Sequence, residues 1–129
     1  MEIVYYYDAG SKCCPVKKHF LQYRDNIKLL VDISKKIEII AQGNGVPRGS
    51  FSKKLAGFDS FEIKQRKNSK TVIRILYFLH KNKMILLNAF EKPDNYDTDK
   101  ERKKVDKQLE IAEQYIKRYK LNTNLYEKY

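Results

Sequence analysis

Three cations interrupt strand-like runs of apolar and aromatic residues: Lys64 and Arg66 in FEIKQR, and Arg74 in TVIRILYFL. A sheet built only for stability favours Val or Ile at such positions. Charge placed there invites an anionic ligand, and phosphate is the anion these residue types suit. Arginine stays protonated and can bind phosphate through two parallel hydrogen bonds, while lysine meets it as a compact point charge. Lys92, closing a third apolar run, MILLNAFEK, reaches the same area. Tyr96, in the loop beyond it, could stack on a base or donate a proton. If the ligand is RNA, metal-independent cleavage needs a base for the ribose 2′-OH, an acid for the 5′-oxygen and cations for the phosphorane charge. A lysine crowded by other cations gives up its proton more readily, so Lys64 or Lys92 is the candidate base and Arg74 the charge stabiliser.

Other reactive side chains offer less. His19 and His80 have no carboxylate within sequence reach and are read as bystanders. The spacing of His, Cys, Asp and Glu suggests no metal, and no glycine-rich loop suggests a nucleotide, so no cofactor is expected. Cys13 and Cys14 are adjacent, cannot easily bridge each other and have no third cysteine to pair with. That points to a reducing cytoplasm rather than a disulfide scaffold.

The elements that must position these residues follow from pattern. IVYYY is strongly β-prone, giving a strand over residues 2–7. Pro15 suits the first turn of a helix over about 15–24, with Val16, Phe20 and Tyr23 on one face. Asp25 or Asn26 can cap a second helix over 26–42, with Ile27, Leu30, Val31, Ile37, Ile40 and Ala41 as its apolar stripe. VPRGSF reads as loop. Strands over 61–66, 71–79 and 84–91 are joined by the polar turns KNSK and HKNK. A last helix over 98–120, capped by Thr98 or Asp99, carries Val105, Leu109, Ala112, Ile116 and Tyr119 in four-three spacing. Lys100, Arg102, Lys103, Lys104 and Lys107 crowd its early turns, against the helix dipole. The tail LNTNLYEKY shows no pattern. The expected fold is one α+β domain spanning residues 1–129.

Register decides whether the cations meet. Glu62, Lys64 and Arg66 share one face of their strand. If Arg66 pairs with Val72, Lys64 faces Arg74 and a cationic concavity forms. If Arg66 pairs with Thr71, Arg74 lies on the opposite face, buried beside the helices. The second arrangement carries the larger penalty, several kcal/mol for an unpaired buried guanidinium, against about 0.2–1 kcal/mol for two solvated like charges. The first register is therefore expected.

The balance of charge agrees with a polyanionic partner. With 27 Lys and Arg against 16 Asp and Glu, the formal net charge is +11. No run of 18 apolar residues is available to span a membrane, and the opening MEIVYYYDAG lacks the basic region of a signal peptide.

CPVKKHFL, KKLAGFDSFEIKQR, VIRILYFL and KNKMILLNAFEK, in that order within residues 3–118, resemble the RelE/HigB-like toxins of bacterial type II toxin–antitoxin systems, especially the phage-derived HigB-type branch. The resemblance implies a RelE-like small antiparallel sheet with two N-terminal helices packed on it and a C-terminal helix. It implies an mRNA endonuclease, in many relatives acting in the ribosomal A site, silenced by a cognate antitoxin. Such an antitoxin is expected to be a helix-turn-helix protein with an acidic segment. Catalytic roles fall on Lys64, Arg74 and Lys92. RNA-binding roles fall on Lys54, before the Leu-x-Gly motif, and on Arg66, Asn88 and Tyr96. Asn88 stands where many relatives have His, Pro93 replaces a second lysine, and the usual Thr-Pro entry to the last helix is absent. Two other readings fit the same surface: a gyrase inhibitor like the ParE relatives, and a basic nucleic-acid-binding module without catalysis.

Overall fold

The computed structural model describes residues 1–93 and 98–129. The elements run β1 (Glu2–Tyr6), α1 (Pro15–Leu21), α2 (Ile27–Gln42), β2 (Ser52–Lys54), β3 (Phe61–Arg66), β4 (Thr71–His80), β5 (Lys83–Pro93), α3 (Asp99–Leu121) and β6 (Tyr126–Lys128). The six strands form one sheet in the order β2-β3-β4-β5-β1-β6. All neighbours are antiparallel except β1 and β5, which pair in parallel. The architecture is α+β, as expected. Two edge strands were not expected: β2, directly after the loop read at 46–51, and β6, in the tail that showed no pattern.

Helices cover both faces. On one, α1 and α2 bury Val16, Leu29, Ile33, Ile37 and Ile40 against Ile63, Ile73, Ile75, Tyr77, Met84 and Leu86. On the other, α3 buries Val105, Leu109, Ala112, Ile116 and Tyr119 against Val4, Tyr6, Leu76, Phe78, Ile85 and Leu87. The stripe expected on α3 is the one that packs. That on α2 is rotated: Leu29 and Ile33 point inward, while Ile27 and Val31 are exposed. β4 explains why its sequence is almost continuously apolar, since a strand covered on both faces has no solvent side. Side-chain caps hold two helices, with the Asn26 side chain accepting from Leu29 N–H at 3.2 Å and Thr98 Oγ1 from Glu101 N–H at 3.3 Å. The β4–β5 hairpin turns at Lys81 and Asn82, both at positive φ (47° and 61°), the backbone that suits tight hairpins to strand twist.

Candidate nucleic-acid interface

The β3–β4 register is the one that brings the cations together. Arg66 pairs with Val72 and Lys64 with Arg74. On β5 a bulge intervenes: Leu76 pairs with Asn88 but Tyr77 with Leu86, leaving Leu87 as the extra residue. Without it, Asn88, Phe90 and Lys92 would continue the alternation of Met84 and Leu86 on the α1–α2 face. With it they turn to the α3 face. Three rows then cross that face: Glu62, Leu76, Asn88; then Lys64, Arg74, Phe90; then Arg66, Val72, Lys92.

Lys64, Arg66, Val72 and Lys92, with Ser50 and Phe51 from the loop before β2, line one groove of about 300 Å³. Lys64 and Lys92 are half-buried and Arg66 is exposed. Arg74 occupies the neighbouring row but does not present itself to water in the same way. It is 6% exposed, and its Nη1 lies 3.2 Å from Oε2 of Glu62, which is 0% exposed. The expected concavity of solvated cations is therefore corrected at Arg74. The guanidinium is on the predicted face, yet it belongs to a buried ion pair with a diagonal neighbour, because α3 covers that part of the sheet.

Two of the predicted RNA-binding residues stand outside the groove. Lys54 pairs with Phe61 across β2 and β3, which puts it on the opposite face. Its Nζ donates to the Leu55 and Phe58 carbonyls and sits 5.5 Å from the Phe61 ring centroid. Asn88 is 4% exposed, and its Nδ2 donates to the backbone and side-chain oxygens of Gln108, both at 3.1 Å. It clasps β5 to α3 beneath the surface that a nucleic acid could reach. Tyr96 lies outside the described residues.

No family model matches the chain, and neither does any curated protein or solved structure. The reading of the site rests on its residues.

Two features escaped the sequence. Phe51 enters the groove because Phe51 O accepts from Lys64 N–H at 2.7 Å, extending the β2–β3 pairing by one residue into an apparent loop. From the far side, Lys36 of α2 donates to Lys64 O at 3.2 Å and lies 5.3 Å from the Phe51 ring centroid. Burial pulls the Lys36 ammonium below its ordinary pKa, with Asp32 only partly restoring it. No local signal marks either contact, since one depends on how β2 pairs with β3 and the other on α2 packing against that strand.

His19 also gains a setting that chain order hides. Tyr23 O–H donates to Glu91 Oε2 at 2.7 Å, and His19 Nε2 lies 2.6 Å from the Tyr23 oxygen. With its own proton committed to Glu91, the tyrosine oxygen accepts, so Nε2 of His19 is the protonated nitrogen. Lys67 completes the chain at 3.0 Å from Glu91 Oε1. Burial lowers the His19 pKa, partly opposed by Glu91. Burial pushes the Glu91 carboxyl up, but Tyr23 and Lys67 together hold it below its ordinary value. This relay faces α1, with the sheet between it and the groove. Among the described residues no group of three His, Cys, Asp or Glu is placed to hold a metal ion, and no helix is long and apolar enough to cross a membrane.

Proposed function

We infer that the chain is the toxin of a type II toxin–antitoxin pair and cleaves mRNA by a metal-independent route, with the ribosome as the setting that aligns its substrate. One observation carries this reading: Lys64 and Arg66 of β3 and Lys92 of β5, two segments well separated in sequence, line a single groove on the sheet. In the cleavage, the ribose 2′-oxygen bonds to the adjacent phosphorus as the bond from phosphorus to the 5′-oxygen breaks. A base takes the 2′ proton, and an acid supplies one to the leaving 5′-oxygen. Lys64 and Lys92 flank the phosphate position and are the candidates for proton transfer. Arg66 is the accessible guanidinium for a non-bridging oxygen. Arg74, held by Glu62, contributes positive potential from the floor rather than a direct grip. Alignment of the strand by the ribosome leaves the protein to supply only charge and proton transfer, which orientation multiplies. The partner that silences such a surface is a cognate antitoxin with an acidic segment.

The test is induced expression with primer extension on a reporter mRNA. Wild-type protein should arrest growth and produce discrete mRNA ends. Lys64→Gln/Lys92→Gln should abolish the ends, with a reduction of at least about a hundredfold for a lost proton-transfer group. Arrest with intact mRNA and new DNA breaks would replace this reading with gyrase poisoning. Arrest undiminished in the folded double variant would remove the groove from the mechanism.

A further inference from the structure

The cationic early turns of α3 are not absorbed by the site described above, yet the fold brings part of them to it. Lys92 lines two hollows. One is the groove with Lys64 and Arg66; the other, about 200 Å³, is bounded by Phe90, Glu91 and Lys92 of β5 and by Glu101, Lys104, Val105, Lys107 and Gln108 of α3. Glu101, Lys104, Val105 and Gln108 form the stripe of α3 that faces β5, at three- and four-residue spacing. Lys104 and Lys107 are exposed. Three lysines and two carboxylates, Glu91 and Glu101, therefore share the rim of one hollow, and positive charge is in excess there.

The kind of anion follows from extent and from the floor. β3 to β5 already spans about 10 Å, two interstrand spacings, and Lys92 on β5 joins that row to the hollow lined by the α3 lysines. One phosphate is too small for both hollows, whereas consecutive phosphates of one strand fit the series. Apolar side chains also line both hollows, Phe51 and Val72 in one and Phe90 and Val105 in the other. A paired duplex hides its bases from such a floor, but an unpaired strand can lay a base on it.

We propose that the N-terminal half of α3 is the second wall of the binding groove, with Lys104 and Lys107 holding a phosphate adjacent along the strand to the one at Lys64, Arg66 and Lys92. This assignment rests on the reading of the groove as an RNA site. Glu101 is its internal competitor: the carboxylate Oε1 lies 3.9 Å from Lys104 Nζ and must yield that cation to the ligand.

The experiment measures binding of a short, fluorescein-labelled 2′-O-methyl RNA strand, which lacks the attacking hydroxyl, to the full chain across a salt series. Each phosphate contact on a single strand adds about 0.7 to the slope of log affinity against log salt. Lys104→Gln/Lys107→Gln removes one phosphate contact and should lower the slope by about 0.7, so from about 50 to about 200 mM salt the wild type loses about 2.6-fold more affinity than the variant. Lys35→Gln/Lys117→Gln makes the same change in net charge on exposed positions outside both hollows and should leave the slope unchanged. Glu101→Gln, which keeps a residue able to complete the helix cap, should tighten binding several-fold. Equal losses from the two lysine pairs, or a slope unmoved by the α3 pair while Lys64→Gln/Arg66→Gln weakens binding, would overturn the α3 wall and leave the groove standing. Absence of binding by the wild type would instead overturn the RNA reading of the groove itself.

Discussion

Glu62 and Arg74 are buried together on a sheet face whose other cations reach water, and that position makes each dependent on the other. A buried pair contributes little compared with apolar residues of the same volume, but removing one partner strands the other in a medium that solvates it poorly. Arg74→Ala is thus expected to destabilise the protein by roughly 3–5 kcal/mol in urea denaturation, while Glu62→Leu/Arg74→Met recovers most of that loss. A cost below about 1 kcal/mol for the single change would show that the pair does not support the sheet. It follows that inactivity of Arg74→Ala is not by itself evidence of a catalytic arginine, and Lys64 and Lys92 are the cleaner probes. The sequence made the register legible, because one alternative left a guanidinium without an offset in the helix-covered layer. It did not make the burial of Arg74 legible, since that depends on α3 lying over the same face, and a helix pattern does not say which side of a sheet it covers. Asn88 was misplaced for the same reason: its partner, Gln108, sits on that helix.

The passage from α2 into the sheet turns on Gly45. Its φ is +80°, its N–H donates to Ile40 O at 2.8 Å, and its carbonyl accepts from Tyr77 O–H at 2.9 Å. An added methyl group would overlap the Leu79 side chain. Gly45→Ala combines left-handed backbone strain with overpacking, and a loss of roughly 2–4 kcal/mol is expected from the two effects together. A thermal midpoint unchanged from wild type would mean that the turn relaxes without disturbing Leu79. Regular elements were the readable part of this chain. α3 announces itself because its burial repeats with the period of the helix, and β3, β4 and β5 because their β-branched and aromatic runs are bounded by polar turns. α2 was read with its stripe rotated, since apolar residues surround much of it and Ile27 and Val31 are left in solvent. β2 and β6 had three residues each and no alternation to detect. Their pairing is set by neighbours, with Lys54 opposite Phe61 and Tyr126 opposite Tyr6. The bulge at Leu87 left no mark in composition, although it decides which face Lys92 joins.

Taken together, the titratable groups define a pH range for the folded state. Burial depresses His19, and it depresses His80 with help from Lys81, Lys120 and Lys83. A histidine whose folded pKa lies below its unfolded 6.5 binds its proton better when unfolded, so its contribution is present above that value and lost as pH falls through it. Glu91 and Asp8 follow at lower pH. Burial alone would raise both, but Tyr23 and Lys67 in one case, and Ser11 and Arg118 in the other, hold them below 4.5 and 3.8, so stability is lost again as each protonates. The alkaline side has the opposite sign. Burial raises the Cys14 thiol from 9.0 to about 12, with Glu127 adding to it, and raises Tyr5 from 10.0 to about 12, with Tyr129 adding. Tyr23 and Tyr77 are raised further, chiefly by burial. For such groups the contribution is present below the unfolded value and lost as pH rises through it. Lys36, depressed by burial, pulls the other way, but one half-exposed lysine does not offset buried tyrosines on both faces of the sheet. Urea midpoints should therefore be flat between about pH 7 and 9, decline in two stages toward acid, and decline toward alkali in step with tyrosinate absorbance. His19→Gln should shrink the first acid stage to the part that His80 contributes while leaving the second, because Glu91 keeps Lys67. A midpoint that stays constant from about pH 8 down to 5 would show that neither imidazole is held in its neutral form by the fold.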